Sequence, residues 1–282
     1  MIITLPLVSI IIRTCQRPNV LRRALDSIRK QKYQNIQVVI VEDGENVSEG
    51  FIRREYSDLN YLYQATKVKV GRCVAGNKAM EMATGEYFNF LDDDDELFPE
   101  HIETLLGELV MQKNKLVAYS VAEEQQIDII SKEPYEIKIK KKHIRYKQPF
   151  NRMLLYTFNY LPIQCVMFHR SLYEELGGFD EKLEALEDWD LWVRYSTYTD
   201  YHYVNQVTSC YRVPYKVKDK KARKEDMNNY LEVLYNKFDK YSLTLQVGSI
   251  NKEMKYVIRE YKTKGIIKYT RMFFRILFLG ER

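Results

Sequence analysis

The chain opens on Leu7-Val-Ser-Ile-Ile-Ile12, a short run rich in β-branched residues that breaks at Arg13-Thr-Cys-Gln-Arg-Pro18. Such a run bounded by turn residues predicts a buried strand followed by a loop. Asn19 to Gln31 then sets Val20, Leu21, Ala24, Leu25 and Ile28 at helical spacing, with Asn19 as the expected cap. Ile36 to Val41 reads as a second buried strand closed by Glu42-Asp43-Gly44, and Tyr61 to Ala65 as a third. A helix over Val74 to Ala83 precedes a fourth strand, Tyr87 to Leu91, which runs straight into Asp92, Asp93, Asp94 and Asp95. Alternating strands and helices predict an α/β fold whose central sheet is mostly parallel and flanked by helices.

Farther along, Pro99 to Lys113 has helical spacing, Leu116 to Glu123 reads as a strand, and the charged stretch Glu133 to Lys147 as a loop or edge hairpin. A strand at Gln164 to His169 leads into a helix at Ser171 to Leu176, stopped by Gly177-Gly178. Asp188 to Tyr198 is a further amphipathic helix, and from Tyr215 the pattern turns helical and Lys-rich. A boundary near Pro214 follows, giving a catalytic domain over residues 1–214 and a basic helical extension over 215–282.

Charge sharpens that division. Of the 282 residues, 215–282 hold 17 Lys/Arg against 8 Asp/Glu, whereas the preceding part holds 27 against 31. The net charge of +5 therefore belongs to the tail. Nucleic acid is a poor partner for the acidic remainder, which would repel phosphates unless a cation intervened. Cys15, Cys73, Cys165 and Cys210 are widely spaced, with no C-x-x-C pair to hold zinc or found a disulfide framework. No stretch reaches the ~20 apolar residues of a membrane span, so the expected location is cytoplasmic or peripheral at the inner face of a membrane. Gly265 to Leu279 is apolar with Lys268, Arg271 and Arg275 at helical spacing. It suits an anionic membrane surface, a second subunit or packing on the catalytic domain. The 23 tyrosines suit either a packed core or stacking against sugars and bases.

Ligands of open parallel sheets bind at the carboxyl ends of the strands. The loops after Ile12, Val41 and Leu91 should therefore share one crevice, and they bring Thr14, Asp43 and Asp92 to Asp95 to it. Adjacent carboxylates repel one another, a cost that a cation relieves. Hard ions such as Mg²⁺ or Mn²⁺ prefer oxygen ligands and commonly take one or two carboxylates plus substrate phosphates. A calcium loop of the EF-hand type is excluded, since the sixth and twelfth positions counted from Asp92 are Leu97 and Glu103. A second acidic group, Glu187, Asp188 and Asp190, opens an amphipathic helix, where carboxylates suit the dipole. Between them lies Trp189, readable as a core residue or as a sugar-stacking platform; Trp192 reads as core.

The order of these motifs resembles a family 2 glycosyltransferase with the glycosyltransferase-A fold. Val8 to Pro18 is similar to that family's opening strand and loop, and Val41-Glu-Asp-Gly44 to its second acidic turn. Gly71-Arg-Cys-Val-Ala-Gly-Asn77 followed by Ala83 to Asp95 resembles the approach to its D-x-D motif. Gly177-Gly-Phe-Asp-Glu181 and Glu187-Asp188 are similar to its acceptor motif and catalytic pair. The resemblance implies an inverting, Mn²⁺- or Mg²⁺-dependent transfer from a nucleotide-diphosphate sugar, UDP by default, to a glycan or lipid-linked acceptor. It assigns Thr14, Arg17, Asp43, Arg72, Asp92 and Asp93 to the nucleotide side, with Asp93 mainly a solvated neighbour. Asp94 becomes the metal ligand, Asp188 the general base and Glu187 its helper. Trp189, Arg212 and Asp95 are left as acceptor or diphosphate contacts.

Three departures stand out. Ala75-Gly76-Asn77 replaces the family's Ala-Arg-Asn, Tyr211-Arg212 is followed by Val213 rather than leading to a late His, and the Q-x-x-R-W signature of processive synthases is absent. Transfer of one or a few sugars is therefore expected. Two rival functions stay open on sequence alone: a non-catalytic nucleotide-sugar or metal-binding partner, and a sugar nucleotidyltransferase. The first has no use for Glu187-Asp188; the second needs a glycine-rich triphosphate loop, and Arg13 to Pro18 contains no glycine.

Overall fold

The computed structural model describes residues 5–112, 114–242 and 247–264. Its first half is a strand–helix alternation. β1 (Val8–Thr14) is followed by α1 (Pro18–Arg29), β2 (Ile36–Glu42), a short α2 (Glu49–Glu55), β3 (Tyr61–Ala65), α3 (Arg72–Met82) and β4 (Tyr87–Asp92). These four strands pair in parallel in the order β3-β2-β1-β4, with Val8 beside both Ile36 and Tyr87. Every residue of β1 is buried, and its side chains divide between two cores by their period of two. Ile11 packs with Val39 and Phe90 on one face, and Ile10 and Ile12 with Val38 and Ile40 on the other. α1 lays Leu21, Ala24, Leu25 and Ile28 onto that second face. At about 1.5–3 kcal/mol per large buried side chain, this stripe rather than intrinsic propensity holds the helix. One expectation is corrected here. The helix is entered through Arg17, with Pro18 rather than a capped Asn19 at its start, because proline lacks the N–H that the first turn would leave unpaired.

The second half is mixed. β5 (Glu96–Leu97) and α4 (His101–Met111) precede the long strand β6 (Val117–Lys132), which turns into β7 (Tyr135–Ile144) as an antiparallel hairpin. After α5 (Arg152–Leu155) and a 3-10 turn at Ile163–Cys165 come β8 (Val166–His169), α6 (Ser171–Leu176), α7 (Glu187–Ser196) and β9 (Tyr201–Pro214). β8 joins β4 and β6 antiparallel, while β6 and β9 run parallel, so the sheet continues β4-β8-β6-β9-β5. A buried polar seam crosses this half. His101 bonds Thr208 through Nδ1 at 2.7 Å and Asn89 through Nε2 at 3.1 Å, and Ser120 meets Thr208 at 2.6 Å.

Two helices follow, α8 (Val217–Phe238) and α9 (Val247–Lys264). α8 buries Leu234 and lays Tyr235 and Phe238 edge-on against Trp189 at centroid distances of 5.9 and 5.7 Å. Lys237 reaches Asp180 at 2.7 Å and the buried Asp190 at 2.8 Å. All four cysteines are free thiols. No helix among the described residues is long and apolar enough to cross a membrane. The expected membrane or subunit contact through Gly265 to Leu279 lies outside the described residues.

Candidate active site

The parallel register sets Arg13, at the end of β1, beside Asp92, at the end of β4. From that position the Arg13 guanidinium donates to Asp92 Oδ1 at 3.0 Å and to Glu187 Oε1 at 2.9 Å. It also lies over the Phe179 ring, 5.0 Å from the centroid. Gly76 makes room for it: a Cβ there would stand 2.7 Å from Phe179 and 3.1 Å from Arg13 Cδ. Arg13 thus ties the strand-end carboxylates to the start of α7, a connection for which no role was expected from sequence. The available signal is a charged residue closing a buried, largely apolar strand.

The other aspartates divide by what they touch. Asp93 is buried, a correction to its expected solvation, because Thr14 Oγ1 donates to it at 2.6 Å and Arg17 Nε at 3.1 Å. Burial outweighs the Arg17 charge and pushes its carboxyl up to about 7. Asp95 is buried too and accepts from the Arg212 backbone N–H at 3.0 Å. Burial, then the charges of Asp94 and Asp92, hold it well above the ordinary carboxylate range. Arg212 bonds the Asp94 carbonyl and donates to Glu96 at 2.6 Å. Its side chain is 3% exposed. The expected diphosphate or acceptor contacts of Arg212 and Asp95 are therefore corrected: both are turned inward to brace the acidic loop.

What remains open to solvent in this loop is Asp94, 37% exposed and 3.8 Å from Arg17, and Asp92, 35% exposed. Among the described residues no three His, Cys, Asp or Glu side chains converge as metal ligands. An all-protein cage is thus not built here. With Asp92 engaged by Arg13, Asp94 is the carboxylate that fits a hard divalent ion taking its remaining oxygens from phosphate and water. Tyr135, at the turn of the β6–β7 hairpin, has no sequence signal for this site; burial and then the Asp94 charge raise the pKa of its hydroxyl.

Asp43 lies one strand over, its backbone N–H donating to the Thr14 carbonyl at 2.7 Å. Its carboxylate accepts from the backbone N–H groups of Val70 at 2.6 Å and Gly71 at 3.1 Å, which shapes the loop into α3. Gly71 has φ of 97°, a conformation costly for any residue with a Cβ, and the next residue, Arg72, starts the helix. Arg72 is 58% exposed and lies 3.8 Å from Glu187.

α7 begins after Leu186, whose φ of 64° is in the left-handed region. A non-glycine residue there carries strain of order 1 kcal/mol, here balanced by burial of its side chain in the core. This turn aims the Glu187-Asp188 pair at the strand ends. Asp188 Oδ1 accepts from the Trp189 backbone N–H at 2.8 Å and Oδ2 from Asn159 Nδ2 at 2.9 Å. Burial, then the Glu187 charge, push its carboxyl up to about 7. Trp189 is 3% exposed, its Nε1 donating to the Leu155 carbonyl at 2.6 Å. α8 covers the ring, so the platform reading is corrected to packing.

Comparison with known proteins agrees with this architecture. A family model described as glycosyl transferase family 2 matches residues 9–177. A Rickettsia typhi protein named uncharacterized glycosyltransferase RT0329 is 28% identical over 273 residues, spanning 93% of this chain and 82% of that one. The chain spans only 62% and 31% of two further Rickettsia relatives. Among solved structures, Staphylococcus aureus TarS 1–349 in complex with UDP-GlcNAc superposes with TM-score 0.66 at 14% identity, covering 91% of this chain and 73% of that one. Mannosyltransferase PcManGT from Pyrobaculum calidifontis, in complex with GDP-Man and Mn²⁺, gives 0.65 at 18%, covering 86% and 67%. At these identities the structural likeness is one of fold, the glycosyltransferase-A arrangement.

Proposed function

Because this chain belongs to glycosyltransferase family 2 and is a glycosyltransferase, we propose that it performs an inverting transfer from a nucleotide-diphosphate sugar to a hydroxyl of a glycan or lipid-linked acceptor, with Asp188 as general base. The observation that carries the proposal is the Arg13 bridge, which joins Asp92 on the donor side to Glu187, next to Asp188. In this reading residues 1–214 carry the chemistry and 215–282 form an appended basic extension, helical over Val217–Phe238 and Val247–Lys264.

Asp92 faces the ribose, while the half-exposed Arg17 and exposed Arg72 face the diphosphate. Thr14 and Asp43 act beneath them, Thr14 by holding Asp93 and Asp43 by shaping the 66–71 loop that meets the nucleoside. Asp94 is the residue that would hold Mn²⁺ or Mg²⁺. When bound, such an ion supplies positive charge against the departing diphosphate. Asp188, with a carboxyl near 7, is tuned to take a proton at neutral pH. The acceptor oxygen forms its bond to the anomeric carbon as the bond to the diphosphate oxygen breaks. The electron pair leaves with the diphosphate and the hydroxyl proton passes to an Asp188 oxygen. UDP is the default nucleotide, supported by the family resemblance and by the UDP-GlcNAc held by a protein of the same fold.

A screen of UDP-, GDP- and dTDP-sugars with Mn²⁺ or Mg²⁺, read as donor hydrolysis and thermal stabilisation, identifies the donor. Asp188→Asn should lower turnover of that donor by at least about 10²-fold with nucleotide affinity unchanged. Undiminished turnover in that variant would remove Asp188 from the role.

A further inference from the structure

Asn159 stands outside every motif discussed so far, yet among the described residues it is the one side chain seen to donate to the candidate base. It lies between α5 and the 3-10 turn at Ile163–Cys165, in a segment anchored on both sides. The hydroxyl of the buried Tyr160 accepts from the Asn151 N–H at 2.9 Å and donates to its carbonyl at 3.1 Å. Leu161, also buried, donates its backbone N–H to Asn159 Oδ1 at 3.0 Å. That last bond decides the amide's orientation. Turned over, the side chain would set its NH₂ against the Leu161 N–H and its oxygen against the Asp188 carboxylate, two like-polarity contacts. With Oδ1 committed to Leu161, Nδ2 has to face Asp188 Oδ2, 2.9 Å away.

The other Asp188 oxygen accepts from its own helix, through the Trp189 N–H. The carboxylate is therefore held from two elements at once, by α7 through Oδ1 and by the 156–162 segment through Oδ2. The charged and titratable groups acting on it are Glu187 from α7, Arg13 from the end of β1 and Asp92 from the end of β4, with the Cys165 thiol nearby from the 3-10 turn. Arg13, the cation among them, is already shared between Asp92 and Glu187. Arg13 therefore acts on Asp188 only through its charge, and the hydrogen-bond donors seen on the carboxylate, the Trp189 N–H and the Asn159 amide, are both neutral.

We propose that Asn159 is a positioning residue for the glycosyl-transfer base: its Leu161-oriented amide fixes the rotation of the Asp188 carboxylate and favours its ionised form. This rests on the reading of Asp188 as base, and deepens it. A hydrogen bond to a charged carboxylate lowers its pKa, so loss of the Asn159 donor should move the Asp188 midpoint upward by about one unit from its value near 7. Asn159→Asp should move it further, because a second carboxylate would face the first.

The test uses the full chain without substrate. Protein labelled with ¹⁵N-asparagine and ¹³C-aspartate is titrated from pH 4 to 9, with Asp188→Asn assigning the Asp188 signal by difference. The Asn159 side-chain amide should titrate with the Asp188 carboxyl in wild type and lose that step in Asp188→Asn. The Asp188 midpoint should rise in Asn159→Ala and again in Asn159→Asp. An Asn159 amide indifferent to pH, or an Asp188 midpoint unmoved in both variants, overturns the proposal. Backbone amide spectra and melting temperatures check that each variant is folded. The Leu161 amide resonance separates a disordered segment from a lost donor. If Asp188→Asn keeps full donor turnover while the coupled titration is present, the reading of Asp188 as base fails and the pairing itself stands.

Discussion

Replacing Arg13 with Met keeps most of the side-chain stem over Phe179 while deleting the guanidinium that joins Asp92 to Glu187. The two carboxylates differ in how much they lose. Glu187 is 4% exposed, and stripping a buried charge of its partner costs about 3–5 kcal/mol. Asp92 is about a third exposed, so solvent screening reduces its share to about 1 kcal/mol or less. The expected loss at pH 7 is therefore about 4 kcal/mol, or roughly 8–16 °C in melting temperature for a chain of this size. The sign with pH follows from Asp92. Although burial works the other way, the Arg13 charge holds its carboxyl below the ordinary value. Asp92 thus contributes stability above its unfolded value of about 3.9, and that contribution is lost as pH falls through its folded value. Arg13→Met removes the strongest attraction on that carboxylate, so the Asp92 share of the deficit should shrink as pH approaches 4. Urea unfolding at pH 7 and pH 4.5, repeated in a Glu187→Gln background, measures these quantities. Arg13→Met should cost at least about 1 kcal/mol less when Glu187 is already neutral. An Arg13→Met variant within about 0.5 kcal/mol of wild type at pH 7, or an equal cost in both backgrounds, would refute the bridge as an energetic link.

Further outcomes are expected elsewhere in the molecule. Asp94→Asn should keep UDP-induced thermal stabilisation but lose the increment added by Mn²⁺, by about tenfold or more in apparent metal affinity; differential scanning fluorimetry with UDP, with and without Mn²⁺, checks this. Burial pushes the His101 imidazole down to about 3, so the neutral form is favoured in the fold and stability present above about pH 6.5 falls by roughly 1.4 kcal/mol per pH unit below it. His101→Asn should flatten that slope in urea titrations between pH 6.5 and 4.5, and an unchanged slope would assign it to other groups. Gly76→Ala, whose Cβ would press on Phe179 and Arg13, should cost about 1–3 kcal/mol in unfolding assays, whereas Gly50→Ala, with nothing within 4 Å, should not destabilise.

Periodicity reaches the donor half of the site and then stops for a physical reason. β1, β2 and β4 are apolar runs closed by polar turns, and parallel pairing forces their carboxyl ends to one side. Thr14, Asp43 and Asp92 to Asp95 therefore follow from the pattern of the chain. The second half is less readable. β6 is buried where it crosses the sheet and half-solvated where it becomes a hairpin, so one strand carries two patterns, and only its first part looks like a strand. Trp189 is ambiguous in sequence because its fate depends on the distant helix α8, whose Tyr235 and Phe238 close over the ring. Asp93 and Asp94 are equal in sequence, and only the reach of Thr14 and Arg17 separates a buried carboxylate from an accessible one.

Arg13 and Asn159 show the same limit at the chemical centre. Arg13 meets Glu187 across 174 residues and Asn159 meets Asp188 across 29, and neither pairing has a periodic signal. What creates them is local backbone geometry: the left-handed turn at Leu186 that aims α7, and the Leu161 N–H that orients the Asn159 amide. A carboxylate at a helix start is by itself an ordinary dipole partner. Asp188 becomes a candidate base because its oxygens are fixed by neutral donors, while the nearby cation is held by its neighbours. Residue type therefore points to the acid–base pair, and its tuning resides in contacts that only the folded chain assembles.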